Sequence, residues 1–434
     1  METAIVVFTR DLRLHDNPAL AAACRQAAHV VPAFVVHQPL IALSPNRARF
    51  LRDCLADVRQ GLRERQADLV IRQGDPVAEV MRLAAETGVQ GIFIAGDVSH
   101  YADRRREGLA RECARHRLQL TVTPGLTVVS PGELRPAGGD HYQVFTPYWR
   151  AWAAATWRRP VPAPEIVRLP AGLRAGSFPP NAQADSPALA PGGEGAAQQR
   201  AERWLRDGLA GYAGNHDALA ADRTSRLSAC LRFGCLSPLA LASAARRQPG
   251  GEELCRQLAW RDFFYQVTAA FPDMARKDYR AAADGRWNHD EDALDAWRAG
   301  RTGVPIVDAG LRQLAAEGFM HNRARMITAS FLTRNLRIDW RHGYRHFGRL
   351  LADGDVACNA GNWQWVAGTG NNRRPNRVLN PLRQARRFDR AGDYVRRYVP
   401  ELAGVAAEHI QAPWQLPPGQ RRQLGYPAPV VDLS

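Results

Sequence analysis

Ala4-Ile5-Val6-Val7-Phe8-Thr9-Arg10-Asp11-Leu12-Arg13-Leu14-His15-Asp16-Asn17 decides the fold of the first third of the chain. Five apolar residues, three of them β-branched, give way abruptly to charge. That is the pattern of a strand buried on both faces and ending in a polar turn. Short runs of the same kind stand at residues 30–36, 69–71, 91–95 and 118–122, and helical patterns fit between them. The clearest follows Leu43: Ser44 can cap, Pro45 suits the first helical position, and Phe50, Leu51, Cys54, Leu55 and Val58 recur at helical spacing. Strand–helix alternation implies a parallel sheet with right-handed crossovers, so a Rossmann-like α/β domain is expected over residues 1–130. The turn after the first strand contains no GxGxxG and the chain no Walker loop, which sets aside a plain dinucleotide dehydrogenase and a P-loop enzyme.

Residues 131–198 lose this periodicity and, from 159 to 195, are dense in Pro, Gly and Ala; an interdomain linker is expected there. From 199 to 434 the pattern is helical, with helices expected over 202–209, 238–246, 252–268, 307–316 and 321–334. All eleven tryptophans fall at or after Trp149, so the two halves differ in chemistry as well as in period. Lys+Arg 58 against Asp+Glu 43 leaves a net charge of +15, dominated by arginine, which favours a polyanionic partner over an acidic small molecule. A chain of 434 residues buries about 75% of its unfolded surface and needs no staple. Its seven cysteines, with no CxxC, signal neither a zinc site nor a disulfide framework and fit a reducing cytosol. Charges interrupt every apolar run before the ~18 residues of a membrane span, and no signal peptide opens the chain. A cytoplasmic monomer is expected, with no membrane contact and no obligate protein partner.

Four clusters carry chemistry. Thr224-Ser225-Arg226-Leu227-Ser228 sets three hydroxyls and a guanidinium before a helical pattern, where they can cap the helix or bind a phosphate at its positive end. In Met320-His321-Asn322-Arg323-Ala324-Arg325-Met326, Asn322, Arg325 and Met326 share a helix face, which suits a polar pocket or an arginine-rich surface helix. Asp353-Gly354-Asp355 and Asn359-Ala360-Gly361-Asn362-Trp363-Gln364-Trp365 read either as a turn followed by core aromatics or as a ligand pocket. The loop Asn371-Asn372-Arg373-Arg374-Pro375-Asn376-Arg377 reads as a phosphate-contacting surface or a solvated loop. His321 has no second histidine or carboxylate at ligand spacing, so it is a structural hydrogen-bonding group and no metal site is expected.

Taken in order, these clusters and three further stretches, Phe8 to Asn17, Trp260-Arg261-Asp262-Phe263 and Thr302 to Ala309, resemble the DNA photolyase and cryptochrome family over nearly the whole chain. Within it the chain is most similar to the bacterial class I photolyases of cyclobutane pyrimidine dimers. The resemblance implies noncovalently bound FAD in an all-helical domain, residues 199–434, with the adenine folded near the isoalloxazine ring. Tyr212, Thr224, Ser225, Arg226, Leu227 and Ser228 match positions that contact ribose and phosphates. Arg261, Asn322, Arg325, Asp353, Asp355 and Asn359 match positions around ribitol and ring, with Arg325 and Asp353 expected to form a buried ion pair. Asn359 matches the residue facing flavin N5, where an amide donates or accepts a hydrogen bond without taking up a proton. Trp363, Trp340 and Trp287 match the family's tryptophan chain, which relays an electron from the surface to the flavin after light absorption.

The same resemblance sets a flipped-out lesion of UV-damaged DNA against Trp260 and Trp365, with Asn322, Arg323 and Met326 in the pocket and Arg226 at the lesion phosphate. Gln257 stands where cyclobutane-dimer photolyases generally carry a glutamate, and so resembles the (6-4) photolyases; those, however, have histidines at the positions of Asn322 and Met326. The implied activity is light-driven splitting of cyclobutane dimers, a carbon–carbon lyase reaction. A (6-4) photolyase and a cryptochrome-type photoreceptor without repair activity are the alternatives; cryptochromes often carry Asp or Cys at the position of Asn359. Cys358, Ala360 and Asn362 depart from the commonest form of the flavin loop. An antenna chromophore is implied between the first domain and the linker. Asp97 stands where deazaflavin-binding relatives carry an aspartate, whereas Ala102-Asp103 replaces the Asn-Glu pair of folate binders, so 8-hydroxy-deazaflavin is favoured over methenyltetrahydrofolate.

Overall fold

The computed structural model describes residues 1–433 apart from 182, 281–286, 372–373 and 375–376, so much of the basic loop at 371–377 lies outside the described residues. Five strands form the expected sheet: β1 (Thr3–Val7), β2 (His29–Val36), β3 (Val70–Gln73), β4 (Gly91–Ala95) and β5 (Gln119–Thr123). Their order is β3-β2-β1-β4-β5 and every pairing is parallel, with Ile5 opposite Val31 on one side and Ile92 on the other. One face, with Ile5, Val31 and Ile92, packs on Val80 and Leu83 of the helix Pro76–Thr87 and on Leu109 of the helix His100–Arg115. The other face, with Val6, Phe34 and Phe93, meets Leu20 of Pro18–Gln26 and Phe50 and Val58 of Pro45–Arg63. That second core continues without a break into Phe263 and Phe264 of the helical half. Each of these helices starts on a side-chain cap, Asn17, Ser44, Asp75 and Ser99, and three of them carry proline in the first turn.

The polar turn after β1 is a clamp between chain segments. Arg13, 1% exposed, donates to the carbonyls of Asp16 (2.7 Å), Gly125 (2.8 Å) and Gly234 (2.9 Å). Asp16 in turn accepts from Arg158 (2.5 Å), the Val161 amide (3.1 Å) and the Ser237 hydroxyl. One short motif thereby ties the sheet domain to the linker and to the helical half.

Inside the expected linker the structure forms a helix, Phe145–Ala154, which buries Phe145, Tyr148 and Trp152. The indole of Trp152 and the amides of Val128 and Val129 all donate to Asp262, whose burial pushes its carboxyl up to about 6. The helix Glu194–Asp207 begins before the expected boundary at 199, because Glu194 is drawn onto the amides of Leu14 (2.7 Å) and His15 (3.0 Å). The rest is helical as expected. Its centre is a stack of Gly251–Ala270, Val356–Ala367 and Trp340–Leu350. The stack is tight: a Cβ on Gly361 would come within 2.1 Å of the Phe264 ring. Among the described residues no helix is long and apolar enough to cross a membrane, and all seven cysteines are free thiols.

Candidate functional site

Thr224, Ser225, Arg226, Ser228 and Asp353 line a cavity of about 450 Å³ in the helical half. The helix Ser228–Phe233 behind them has Leu227 at its cap and no side-chain cap bond, so the capping alternative fails. The hydroxyls are not consumed by the helix. The Thr224 hydroxyl is buried without a partner, a state costing about 1–3 kcal/mol that a ligand oxygen would relieve. Arg226 departs from its expected role. Its guanidinium bonds Asp222 and Glu317 (both 2.7 Å) and lies 4.5 Å over Phe319, so its charge is already neutralised and is not held out to a lesion phosphate. Tyr212 stands edge-on to Trp204 at 5.1 Å, and burial, followed by Glu253 and Asp217, pushes its hydroxyl up to about 12.

The expected ion pair forms. Arg325 grips Asp353 through two bonds of 3.1 and 2.7 Å while its Nε donates to the Met320 carbonyl at 2.8 Å. Next to it on the helix Asn322–Ser330, Asn322 and Arg323 both approach the Met326 sulfur, at 4.0 and 3.8 Å, and Arg323 pairs with Asp217 at 2.7 Å. Asn322 and Arg323 therefore both meet Met326 on this helix. On Gly251–Ala270, Glu253, Gln257, Trp260 and Arg261 follow one another at helical spacing. The Gln257 amide donates to Glu253 at 2.8 Å. Trp260 lies flat on Phe145 of the linker helix, 3.6 Å between ring centroids, which fixes the plane of its indole. Trp365 is half-buried near the end of Val356–Ala367. Asn359, on the same helix, donates to the Tyr344 carbonyl at 3.2 Å, which sets the orientation of its amide.

Of the residues matched to cofactor positions, Tyr212, Leu227, Arg261, Asn322, Arg325, Asp355 and Asn359 do not line the 450 Å³ cavity. Asp355 caps Val356–Ala367 through the Cys358 amide (2.8 Å), accepts from the Tyr265 hydroxyl (2.7 Å) and pairs with Arg10 of the opening motif. Burial alone would raise its pKa, but Arg10 and then Arg261 hold it well below the usual carboxylate range. Arg261 donates to the Tyr265 hydroxyl (2.9 Å) and to the carbonyls of Leu126 and Leu231. Both residues belong to the seam between the halves.

Trp363 and Trp340 are buried, and the indole of Trp363 rests on the backbone at Gly343, one turn along the helix that Trp340 begins. Trp287 is half-buried. The next residue, Asn288, bonds the carbonyls of Arg337 (2.7 Å) and Leu336 (3.1 Å), just ahead of Trp340. Trp340 and Trp363 belong to one buried cluster, against which Trp287 packs.

A second, larger cleft of about 1110 Å³ opens at the carboxyl ends of β1 and β4. The strand order reverses between those two, which is where open α/β sheets bind ligands. Arg10 and Asp97 face each other there at 3.2 Å, beside a stacked His37–Tyr101 pair. Arg47, Arg105 and Arg232 also line it; burial lowers Arg47 to about 10, and burial followed by the neighbouring Arg10 and Arg47 lowers Arg232 to about 9. Arg10 thus touches both Asp97 and Asp355, a bridge the sequence gives no sign of, since its partners lie 87 and 345 residues away. Glu253 was also unforeseen; its spacing of four from Gln257 was the available signal.

A parallel-sheet domain with a cleft at its switch point is joined to a helical domain with a polar cavity and buried indoles, a two-domain class of protein with a ligand-sized space in each half. Residues 4–165 match the family model described as DNA photolyase, and 254–434 that described as the FAD binding domain of DNA photolyase. The chain is 50% identical over 444 residues to the deoxyribodipyrimidine photo-lyase of Streptomyces griseus, covering 100% of this chain and 97% of that one. Among solved structures it is similar to a bacterial class III photolyase from Agrobacterium tumefaciens, with TM-score 0.93, 32% identity, and 100% and 95% of the two chains covered. It is also similar to an archaeal photolyase from Sulfolobus tokodaii solved with two FAD molecules, with TM-score 0.87, 29% identity, and 99% and 96% covered. The chain belongs to the DNA photolyase family.

Proposed function

We propose that this protein splits cyclobutane pyrimidine dimers in UV-damaged DNA with light absorbed by FAD in the helical domain. The full-length identity with the Streptomyces griseus photo-lyase carries the assignment. The unpartnered Thr224 hydroxyl and the Arg325–Asp353 pair support the fit of the cofactor. FAD, when bound and reduced, supplies the excited electron that opens the two inter-base bonds and then takes it back. The chain's own residues hold and orient. Thr224, Ser225 and Ser228 offer hydroxyls to the diphosphate, Arg325 and Asp353 a paired donor and acceptor to the ring edge, and Asn359 an amide that exchanges no proton. Trp260 and Trp365 stack the extruded dimer, and stacking of a base on an aromatic ring is worth about 1–3 kcal/mol. Asn322, Arg323 and Met326 line the pocket. Gln257, its amide held by Glu253, presents one donor and one acceptor to the thymine edge, the pair that a protonated carboxyl would offer.

Asn322 and Met326 provide no proton donor of the kind a (6-4) reaction needs, which favours cyclobutane dimers, and Asn359 favours repair over a purely sensory role. Trp287, Trp340 and Trp363 reduce the resting flavin. In the second cleft the surplus of guanidinium groups suits an ionised 8-hydroxy-deazaflavin beside Arg10 and Asp97. Seven free thiols fit a reducing cytosol, and on this reading the protein acts at the nucleoid as a monomer. The test is repair of defined oligonucleotides under blue light. Cyclobutane-dimer substrates are expected to be restored and (6-4) substrates left intact; the reverse result overturns the assignment.

A further inference from the structure

Trp340 is 0% exposed, and its indole N–H donates to Asp278 Oδ1 at 2.8 Å. A buried indole needs an acceptor, and a backbone carbonyl would serve. Here the acceptor is a carboxylate, and it is held from two sides. Arg341 donates to the same oxygen at 2.9 Å and also pairs with Asp339, so the three charges sum to one negative. The loop bearing Asp278 is fastened to Val356–Ala367 by Gln364, which is 0% exposed. Its Oε1 accepts the Tyr279 amide (2.7 Å), and its Nε2 donates to the carbonyls of Met274 (2.6 Å) and Lys277 (2.9 Å). Gln364 is the residue between Trp363 and Trp365. The helix that carries Trp363 therefore also fixes the carboxylate on Trp340.

We propose that Asp278 is a positioning residue of the electron relay, acting through Trp340 as its proton acceptor. The inference rests on the tryptophan-chain reading above. When Trp340 gives one electron to oxidised Trp363, which has passed its own toward light-excited oxidised FAD, its N–H becomes strongly acidic. The proton crosses the 2.8 Å hydrogen bond to Asp278, leaving a neutral indolyl radical and a carboxylic acid. Charge is thereby removed from the path of back-transfer. When Trp287 refills Trp340, the proton returns from Asp278 to the indole nitrogen, and the final oxidation rests on Trp287 or on a reductant such as a thiol in solution.

Asp278→Asn keeps an oxygen for the indole but removes the charge and the proton site. Transient absorption on the flavin-loaded full chain is expected to show the Trp340 radical held as a cation in this variant. Loss of a charge-assisted hydrogen bond corresponds to about a tenfold shorter lifetime of the charge-separated state. The solvent deuterium isotope effect on formation of the neutral radical should vanish, and Asp278→Glu should restore it. Without flavin, the indole ¹⁵N–¹H resonance of Trp340 should move in Asp278→Asn while the melting temperature stays close to wild type. If radical spectrum, lifetime and isotope effect all match wild type, the inference is overturned. Trp340→Phe separates the two readings: if it photoreduces like wild type, the relay itself is wrong. If it is blocked while Asp278→Asn behaves like wild type, only the role of Asp278 falls.

Discussion

Gln257 and Glu253 lie one helical turn apart and share a hydrogen bond of 2.8 Å, which changes what a carboxylate at position 257 would do. Two acids at that distance cannot both ionise freely, so one titrates above the ordinary glutamate value. Gln257→Glu is therefore expected to keep dimer repair, and to lose roughly tenfold in affinity as pH rises and the second charge appears. Binding of dimer-containing DNA across a pH series checks this, and Glu253→Gln in the same chain should flatten the curve. His321 gives a second pH dependence. Its Nδ1 accepts the Arg323 amide at 3.1 Å while Nε2 is buried unpaired, and burial lowers its pKa to about 4 against the pull of Asp222 and Asp217. The folded state holds this histidine neutral, so between about 6.5 and 4 the unfolded chain binds more protons and stability falls with falling pH, by up to about 3 kcal/mol. Denaturant unfolding between pH 7 and 4 should show the loss, and His321→Gln should reduce it. A residue with local chemistry, such as Ser44 as a cap, was legible in the sequence. Arg226 was not, because Glu317, which neutralises it, lies 91 residues further on.

The five strands were readable because β-branched runs in a parallel sheet need no partner information to look buried. The helix Phe145–Ala154 was not. Ten residues are too few to be stable alone, and its anchors Phe145 and Trp152 draw on Trp260 and Asp262, more than 100 residues away. In the helical half, Arg325–Asp353 was foreseen through the family motif, whereas the withdrawal of Arg261 and Asp355 into the seam depends on Arg10, which the motif does not link to them. Packing between elements yields its own test at Gly343, where a Cβ would come within 2.1 Å of the Trp363 indole. Gly343→Val should cost about 1–3 kcal/mol through overpacking and tilt the ring away from Trp340. Slower photoreduction of oxidised FAD, alongside a lowered melting temperature, is the expected result; unchanged photoreduction would show that the two indoles need not stay in register.

At the scale of the whole molecule, a net charge of +15 is made almost entirely of guanidinium groups, and several of them are consumed by the fold, as the buried Arg13 and the half-buried Arg226 show. On the proposed function the surface remainder is expected to meet phosphates. Binding of damaged DNA should weaken with salt at a slope of roughly 0.9 in log K against log concentration for each phosphate contacted. A flat response in a filter-binding titration would remove the basic surface from the account while leaving the cofactor site untouched. Integrity is governed by the clamp. Arg13→Met keeps the volume but orphans the carbonyls of Asp16, Gly125 and Gly234, at about 1–3 kcal/mol for each one left dry, and calorimetry should then find the single transition of the wild type lowered or split.

The same clamp sets a clock for synthesis. Gly234 lies 221 residues after Arg13, so at about 5–20 residues per second the ribosome takes roughly 11–44 s to deliver the last acceptor. For that interval the guanidinium of the nascent sheet domain lacks its third carbonyl, and the core that Phe263 and Phe264 later join is incomplete. The first domain off the ribosome is thus completed only by residues of the second, and chaperones and proteases meet it in that window.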